Sequence, residues 1–519
     1  MSAFAGTGTL TRLALRRDRL MLPLWALVVG GMVASGAGSL EALYDTPAKR
    51  ARLAASMTAN SSMRSLYGPV FGDSTGALVA WRFATFAAVL AAVMSLVIVV
   101  RHTREEEETG RQEMLSAARV GRRAPLTAAL LTALVANTAV TLIITAGLSG
   151  EGTAGAFALG LAVGGTGMVF ATLTAIVAQL TESARLAKGL TAALLGLAFA
   201  LRAAGDAGGS TAPTWASPIG WAQHVRAFAG ERWWVPLLMA GAVAAQGAVA
   251  YALSARRDVG MSFLPARPGP ASGRIASAGG LAWRLQRAGL LGWTAGFLVA
   301  GLVFGGMVEG ASDLVGDNEQ ARRIFERMGG QAGLEDAFLS TMTGLFGMVA
   351  ALYAVGSVLR LHGEETSQRA EPVLAGAVGR LRWAAGHLVI AFGGAAAPMV
   401  AAAAGLTLAY GRDGGPILGA ALAQLPAVWV LGGLAVLLHG AFPGAAPAAW
   451  GVAGLCLALG WIGPALDLPG AVLNLSPYGH LPKLPGTEMG WAPLLVLTAL
   501  AGALVAAGLA GLRRRDLLT

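Results

Sequence analysis

Cysteine, lysine and charge as a whole are scarce in this chain of 519 residues. Cys456 is its single cysteine, which excludes an intramolecular disulfide and a cysteine-based metal site. Charged residues make up 13% of the chain and hydrophobic residues 55%. Soluble globular proteins carry roughly 25% charged residues because their surfaces face water. The composition therefore excludes an ordinary soluble domain and indicates a chain solvated by lipid.

The positive charge is carried by 35 arginines and 3 lysines, and with the acids it sums to a net charge of +10. These basic residues are scattered between apolar runs and form no continuous stripe, so no nucleic-acid partner is expected. Glycine is abundant, at 73 residues. Abundant glycine among apolar runs is typical of transmembrane helices, whose small residues let backbones approach closely.

Apolar stretches long enough to cross about 30 Å of hydrocarbon as a helix occur twelve times. They predict an all-α polytopic membrane protein in contact with membrane lipid. The predicted spans are 21–40, 77–100, 124–148, 156–180, 189–206, 234–254, 289–308, 338–359, 384–410, 416–438, 447–466 and 491–511.

Lysine and arginine are divided unequally between alternate loops. With a cytoplasmic N-terminus, 25 of the 38 basic residues fall inside and 13 outside, while 12 acids fall inside and 16 outside. Basic residues accumulate in the cytoplasmic loops of membrane proteins. Both termini are therefore predicted to be cytoplasmic.

An internal repeat appears when the sequence is shifted by 258 residues, which places 106–122 on 364–380 with eight of seventeen positions identical. The same shift places Arg256, Arg257 and Asp258 on the Arg-Arg-Asp at 514–516. A shift of 259 residues aligns two Ser-Pro-x-Gly turns, at 217–220 and 476–479. The chain is therefore predicted to contain two related halves.

The predicted halves are residues 1–260 and 281–519, each with six spans, joined by a cytoplasmic Pro/Gly linker over 261–280. Because six is an even number, both halves have the same orientation. The expected architecture is two parallel six-helix halves related by a pseudo-two-fold axis along the membrane normal, which argues against inverted repeats.

The intracellular segment after the second span of each half carries acids in an otherwise basic loop. One interpretation is a solvated helix with Glu/Arg pairs at helical spacing. The other is a docking element for a basic cytoplasmic partner, since the acids recur in both halves and two identical subunits would explain two copies. The candidate docking residues are Glu105, Glu106, Glu107, Glu108, Arg111, Glu113, Glu364, Glu365, Arg369 and Glu371.

The predicted spans also bear on the energy source, because ion-driven carriers place ionisable groups within the membrane. Acids are expected to be absent from the span cores, and the titratable exceptions Arg82, Arg202 and His387 lie near predicted span ends. A Gly-x-x-x-x-Gly-Lys-Ser/Thr phosphate loop is also missing from the sequence. A transporter of this kind must take its energy from a partner.

These features together resemble the actinobacterial permeases of ATP-binding-cassette (ABC) exporters, in the fused, full-length form of the polyketide-antibiotic or multidrug type that is similar to type V ABC exporters. The resemblance covers essentially the whole chain. It rests on two parallel six-span halves, on the Glu-Glu-x-x-x-Arg-x-Glu element of each half, and on the Ser-Pro-x-Gly-Trp turn that precedes the Glu-Arg-Trp-Trp at 231–234.

The resemblance implies a permease in a bacterial cell membrane that works with two copies of a separate ATPase subunit, which bind ATP and Mg²⁺; no cofactor or metal is expected in this chain itself. It also implies elbow helices over Leu10–Arg19 and Leu281–Gly289, and a coupling helix after the second span of each half. The second half departs from the pattern, because Pro372 interrupts its segment and His480 stands where Trp221 does. Unequal coupling of the two ATPases follows as an expectation.

The implied activity is export of amphiphilic antibiotics, drugs or lipid-like metabolites through a cavity that switches from inward to outward access. Aromatic and sulfur side chains of the second spans are candidates to line this cavity, with packing or lipid contact as the other interpretation. They are Phe83, Phe86, Phe346, Met348 and Tyr353. The Ser-Pro-x-Gly turns are interpreted as structural, or alternatively as an outer gate formed by Ser217, Pro218, Gly220, Trp221, Ser476, Pro477 and Gly479.

The alternative function is an ion-coupled secondary multidrug carrier with two parallel six-span halves. The expected lack of core carboxylates and the acidic, helix-like segment after the second span argue against it. A membrane-embedded enzyme acting on lipid would need a His/Asp or metal constellation, and the sequence offers none. The chain is therefore predicted to be a transport subunit and not an enzyme.

Overall fold

The structure, a computed structural model, describes residues 2–59, 61–116, 120–208, 211–258, 260–263, 273, 275, 277–306, 308, 333–412, 414–463 and 469–516. The described residues form helices, turns and loops and contain no β-strand, which confirms the all-α prediction. The chain divides into two compact units, Met1–Pro268 and Gly269–Thr519.

The first unit is built around one helix that packs against three others. Its α-helices are α1 (Thr7–Arg17), α2 (Met21–Ala34), α3 (Gly36–Leu43), α4 (Pro47–Ala59), α5 (Ser61–Tyr67), α6 (Thr75–Arg101), α7 (Arg104–Glu108), α8 (Arg111–Ser116), α9 (Ala124–Leu148), α10 (Thr153–Leu180), α11 (Ala184–Gly208), α12 (Thr211–Trp215), α13 (Pro218–His224) and α14 (Trp234–Arg256). Helix α10 lies at the centre, in contact with α6, α9 and α14.

The second unit has two tightly packed helix pairs, α15 with α19 and α21 with α24. Its α-helices are α15 (Ala278–Gly305), α16 (Leu334–Thr366), α17 (Glu371–Leu374), α18 (Arg380–Gly394), α19 (Ala396–Tyr410), α20 (Gly414–Leu422), α21 (Leu425–Ala441), α22 (Ala448–Ile462), α23 (Gly470–Leu473) and α24 (Trp491–Arg514). The first turn of α21 contains a proline. Proline lacks an N–H and is tolerated only in the first turn of a helix. The second unit therefore starts a new helix at a position where α10 of the first unit is continuous.

Small residues set the helix spacing. A Cβ at Gly160 would lie 2.7 Å from the Thr141 carbonyl oxygen, and one at Gly164 would lie 2.9 Å from that of Asn137, so α10 rests directly on the backbone of α9. Gly301 and Gly305 likewise leave no room for a side chain against α19. At these positions glycine allows the close approach of backbones that is expected from its abundance.

Eleven stretches of the described residues are long and apolar enough to cross a membrane. They match eleven of the twelve predicted spans. The exception is 447–466, where the described helix α22 has 15 residues and reaches about 22 Å at 1.5 Å per residue, short of the ~30 Å of hydrocarbon. The twelve-span prediction is therefore not confirmed.

Helix boundaries at the acidic segments differ between the units. In the first unit the second span ends at Arg101 and the acids form the separate helix α7, whereas α16 runs without a break from Leu334 to Thr366 and carries Glu364 and Glu365 in its last turns. The predicted elbow over Leu10–Arg19 corresponds to α1, which is separate from its span. The second, over Leu281–Gly289, forms the early turns of the continuous helix α15. Most of the predicted linker, 261–280, lies outside the described residues.

Candidate functional site

The four consecutive acids of the first unit bind three other parts of that unit: α1, the start of α11 and the end of α14. The Glu105 carboxylate is 2.5 Å from the Lys188 ammonium of α11, and Glu106 accepts a hydrogen bond from Arg17 at the end of α1. Glu108 accepts from the backbone N–H of Ala184 at 2.7 Å, where the first turn of α11 has unpaired N–H groups. The acidic segment is therefore attached to both the elbow helix and the start of the fifth span.

Glu107 makes the most buried of these contacts. Its two carboxylate oxygens accept hydrogen bonds from both terminal nitrogens of Arg257 at 2.6 and 2.9 Å, a bidentate pair. Arg104, which is 1% exposed, donates to the same carboxylate at 2.6 Å and also to the backbone carbonyls of Ala178 and Met261. Glu107 and Arg104 together thus join the acidic segment to the ends of α10 and α14.

The second unit repeats this arrangement at a spacing of 258 residues. Glu365, which is 2% exposed, accepts from both terminal nitrogens of Arg515 at 2.5 and 2.6 Å. Arg122 donates to the Arg257 carbonyl at 2.7 Å, and its repeat partner Arg380 donates to the Arg515 carbonyl at 2.6 Å. Two contacts, the glutamate–arginine pair and the arginine–carbonyl hydrogen bond, therefore occur at repeat positions in both units. We call each of the pairs Glu107–Arg257 and Glu365–Arg515 a latch.

The surroundings of the two latches differ. The second unit has His362 at the repeat position of Arg104, and a further buried histidine, His439, has its Nε2 atom 3.6 Å from Glu365. Glu364 instead binds Arg360, one turn earlier in α16, at 2.9 Å. The first latch therefore lies beside the permanent cation Arg104, and the second lies beside imidazole rings. The repeat of charged residues in the sequence did not reveal this difference.

The remaining candidate docking residues point outward. Glu108, Arg111, Glu113, Arg369 and Glu371 are exposed. Arg111 lies 3.5 Å from Glu106 and so extends the contact with Arg17 to the surface. The predicted set therefore contains acids that bind within their own unit, Glu108 among them, and further charged residues that are exposed at its surface.

The candidate cavity residues lie in two separate environments. In the second unit Phe346, Met348 and Tyr353 are all buried; Phe346 contacts Phe297 and Phe304 through its ring, and the Tyr353 hydroxyl donates to the Ile390 carbonyl at 2.9 Å.

In the first unit, Phe83 and Phe86 are half-buried. Phe86 packs edge-on against Tyr67, and the Phe83 ring lies against Gly36. A shared cavity wall formed by these residues stays a prediction.

The two Ser-Pro-x-Gly turns have the same internal geometry. Ser217 caps α13 by accepting from the N–H groups of Ile219 and Gly220, and donates to the Ala198 carbonyl at 2.6 Å. Ser476 accepts from the N–H of Tyr478. In both turns the glycine faces the carbonyl oxygen six residues earlier, Thr214 for Gly220 and Leu473 for Gly479, with no space for a Cβ. Pro218 and Pro477 occupy the first turn of each helical segment, and the Trp221 indole donates to the Trp215 carbonyl at 2.7 Å.

A buried polar network that the sequence did not reveal lies beside the first of these turns. Arg202 is fully buried and donates to the carbonyls of Ser65 and Leu66 at 2.6 and 2.9 Å. Its guanidinium lies 3.3 Å from Asp206, which accepts from Gln223 at 2.9 Å. Asp206 is the last residue of the predicted span 189–206 and so lies at the end of that span. Residues 65, 202 and 223 are not neighbours in the sequence, so no local pattern predicts that they lie close together in space.

His224, in α13 outside the spans, makes this region sensitive to acid. It stacks on Trp215 with 4.2 Å between ring centroids. Burial first, and then the positive charges of Arg232 and Arg226, lower its pKa to about 4. Folded His224 is therefore neutral at pH 7, whereas an unfolded histidine titrates near 6.5.

We expect the contribution of His224 to stability to be constant above pH 6.5 and to fall between pH 6.5 and 4, by no more than about 3 kcal/mol, because there the unfolded chain binds a proton that the folded chain does not. Thermal unfolding of the wild type at pH 7.5 and pH 5 measures this fall. His224→Phe keeps an aromatic ring on Trp215 and should reduce the pH difference, whereas His480→Phe at an exposed position should leave it intact. Equal pH dependence in all three proteins would refute the assignment.

The chain is similar in sequence to known proteins along its length. The family model for "Multidrug efflux system permease Rv1217c, C-terminal domain" matches residues 275–513. The multidrug efflux system permease protein Rv1217c of Mycobacterium tuberculosis is 44% identical over 527 aligned residues, which cover 99% of this chain and 96% of that protein. The similarity thus extends through both units. The chain belongs to the multidrug efflux system permease family and is a membrane permease of the drug-efflux type.

Proposed function

We propose that this chain is the permease subunit of an ATP-driven exporter of the ABC type, working with two copies of a separate ATPase subunit that hold ATP and Mg²⁺. The observation that supports the proposal best is the latch in each unit, which binds an acidic segment next to the second span to the end of the last span. A chain that lacks a phosphate-binding loop needs an external energy source, and a force applied at these segments reaches several spans at once.

Within this proposal the acidic segments have two roles. The exposed residues Arg111, Glu113, Arg369 and Glu371 contact the ATPase subunits, whereas the buried Glu107 and Glu365 pass on the movement. A buried ion pair is costly to break, because separation leaves an uncompensated charge out of water. Each segment therefore moves together with the helices that it binds, and the helices α7 and α8 and the short helix α17 act as coupling helices.

In the proposed mechanism both termini are cytoplasmic, and the two units are parallel halves. Closure of the ATPase pair on ATP pushes the acidic segments and switches the pathway from inward to outward access. The substrate is an amphiphilic drug or antibiotic taken from the cytoplasm or the inner leaflet, and Phe83, Phe86, Phe346, Met348 and Tyr353 remain the candidates to contact it. The different surroundings of the two latches favour unequal coupling of the two ATPases.

Co-purification tests the partnership directly. The affinity-tagged chain, isolated from its native host in mild detergent, should bring down a nucleotide-binding subunit at two copies per chain, and vesicles containing this complex should export drug when ATP is supplied. Drug transport by the chain alone, driven by a pH gradient, would overturn the proposal in favour of a secondary carrier.

Charge reversal tests the docking surface. Glu113→Lys combined with Glu371→Lys should weaken co-isolation of the ATPase and ATP-dependent export by about tenfold, the effect of roughly 1.4 kcal/mol. Glu488→Lys is the matched control, because Glu488 is also exposed but lies in the loop before the last span, on the predicted outer side. Equal loss in both proteins, or loss in neither, would contradict docking at the acidic segments.

A further inference from the structure

A groove between three helices of the first unit lies away from all the sites described above. It has a volume of about 360 Å³, which is within the range of small-molecule sites. Its lining residues are apolar or neutral and come from α9, α10 and α14: Thr127, Leu130, Leu131, Leu134, Met168, Thr172, Val243, Ala244, Gly247, Ala248 and Tyr251. Leu131 and Leu134 are exposed on the membrane-spanning helix α9, so the groove opens towards lipid.

Two hydrogen-bonded pairs mark the groove at two depths. The hydroxyls of Thr127 and Tyr251 are 2.7 Å apart near the end of the helices that faces the acidic segment. Thr172 donates to the side-chain Oε1 atom of Gln246 at 2.7 Å, one to two turns deeper. Among the described residues none accepts a hydrogen bond from the Gln246 side-chain amide nitrogen. Gln246 is bonded to the lining residue Thr172 and precedes the lining residue Gly247, and polar groups at membrane depth find no partner in lipid tails.

The second unit shows why the groove exists in the first. There α21 and α24 meet backbone to backbone: a Cβ at Gly508 would lie 2.5 Å from the Val436 carbonyl oxygen, and one at Gly511 would lie 2.9 Å from Gly440. At the repeat positions the first unit has Ala250 and Leu253. Side chains therefore stand where the second unit has direct backbone contact, and space remains beside α14.

The polar pairs are also specific to the first unit. At a spacing of 258 residues, Thr172 and Gln246 correspond to Val430 and Leu504, and Thr127 and Tyr251 correspond to Ala385 and Leu509. All four polar positions are thus apolar in the second unit. Helix packing alone does not require the polar pairs, since the related pairs of helices associate without them.

We propose that this groove binds an uncharged amphiphile with two hydrogen-bonding groups along an apolar body, and that it is a membrane-side access site for the exported substrate. The two polar pairs are about 7.5 Å apart along α14, from the five-residue separation of Gln246 and Tyr251 at 1.5 Å per residue. The lining contains no charged residue to hold a phosphate, and a saturated acyl chain has no group to bond with the deeper pair. The access role depends on the proposed export function, whereas binding itself needs neither ATP nor an ATPase.

Photolabelling of the full chain in lipid nanodiscs, without ATP or an ATPase, tests the site. The probe is tritiated progesterone, an uncharged steroid with a carbonyl at each end whose enone crosslinks under ultraviolet light. We expect labelled peptides from α9 and α14. Gly247→Leu should reduce labelling at least tenfold, because a Cβ at Gly247 has no neighbour within 4 Å and the new side chain fills the groove. Gly241→Leu is the matched control on the exposed side of α14, also without a neighbour within 4 Å, and should label normally.

A second variant tests the same site without a substitution at Gly247, whose replacement could disturb folding. Thr172→Val with Gln246→Leu reproduces the apolar pair of the second unit and should weaken progesterone labelling by about 3- to 10-fold, the effect of one lost hydrogen bond. Labelling of the groove by a phosphatidylcholine with a diazirine in its acyl chain, blocked by Gly247→Leu but insensitive to the polar double variant, would show a lipid-tail site and overturn the proposal. Absence of progesterone labelling from α9 and α14 would also overturn it. Normal progesterone labelling without ATP-dependent export would instead support the binding site and contradict the proposed export function.

Discussion

Glu365→Gln is expected to destabilise the second unit by about 3 kcal/mol, since loss of one partner of a buried ion pair leaves the other charge uncompensated. Glu365 is 2% exposed and holds Arg515 through two hydrogen bonds of 2.5 and 2.6 Å. The freed guanidinium lies at the end of α24 close to the buried His439, which provides no negative charge. We therefore expect the thermal stability of the purified protein to fall sharply and drug efflux to fall with it.

A double-mutant cycle separates the latch from a general effect of the substitution. Glu365→Gln with Arg515→Gln removes both charges, so the double variant should recover much of the stability that Glu365→Gln loses, with a coupling free energy of about 2 kcal/mol. Glu371→Gln, on the same segment but exposed, is the control and should change stability by about 0.5 kcal/mol or less. Additive losses in the double variant would mean that Glu365 and Arg515 do not act as a pair.

Gly508→Leu is expected to prevent correct assembly of the second unit. A Cβ at this position would lie 2.5 Å from the Val436 carbonyl oxygen and 2.7 Å from the Leu437 nitrogen. Both are backbone atoms that cannot turn aside as a flexible side chain can. Helix α24 must therefore separate from α21, which also removes the fit of Gly440 and Gly511. Overpacking of this kind costs about 3 kcal/mol or more, and we expect loss of a monodisperse peak in detergent size-exclusion chromatography.

The same helix supplies the control for this prediction. Gly502→Leu adds an identical side chain on the exposed side of α24, where a Cβ has no neighbour within 4 Å, and the variant should elute like the wild type. The repeat supplies a second comparison, because Ala250 already stands at the position equivalent to Gly508 in the first unit. A wild-type elution profile for Gly508→Leu would contradict the close contact between α21 and α24.

Most of the fold class could be predicted from the sequence, because apolar length and composition are local properties. Eleven of the twelve predicted spans are present as long apolar helices. The twelfth, at 447–466, is described only as the 15-residue helix α22 and stays a prediction.

The candidate site was predicted in part. The repeat drew attention to Glu107 and Glu365 and, separately, to Arg257 and Arg515, since each pair of positions matches at the same spacing. That the glutamates bind those arginines could not be predicted, since 150 residues separate the partners within each unit. The same is true of Arg202, whose bonds to Ser65 and Leu66 join positions more than 130 residues apart.

The sequence by itself determined that the chain is helical, lies in lipid and repeats with a spacing of 258 residues, because each of these follows from composition, apolar length or identity along the chain. Only the tertiary structure decided which acids are bound within the chain and which remain exposed, and where the helices α9, α10 and α14 leave a groove. The physical reason is that ion pairing and close packing act over a few ångströms in space, between residues whose distance along the chain carries no information about contact.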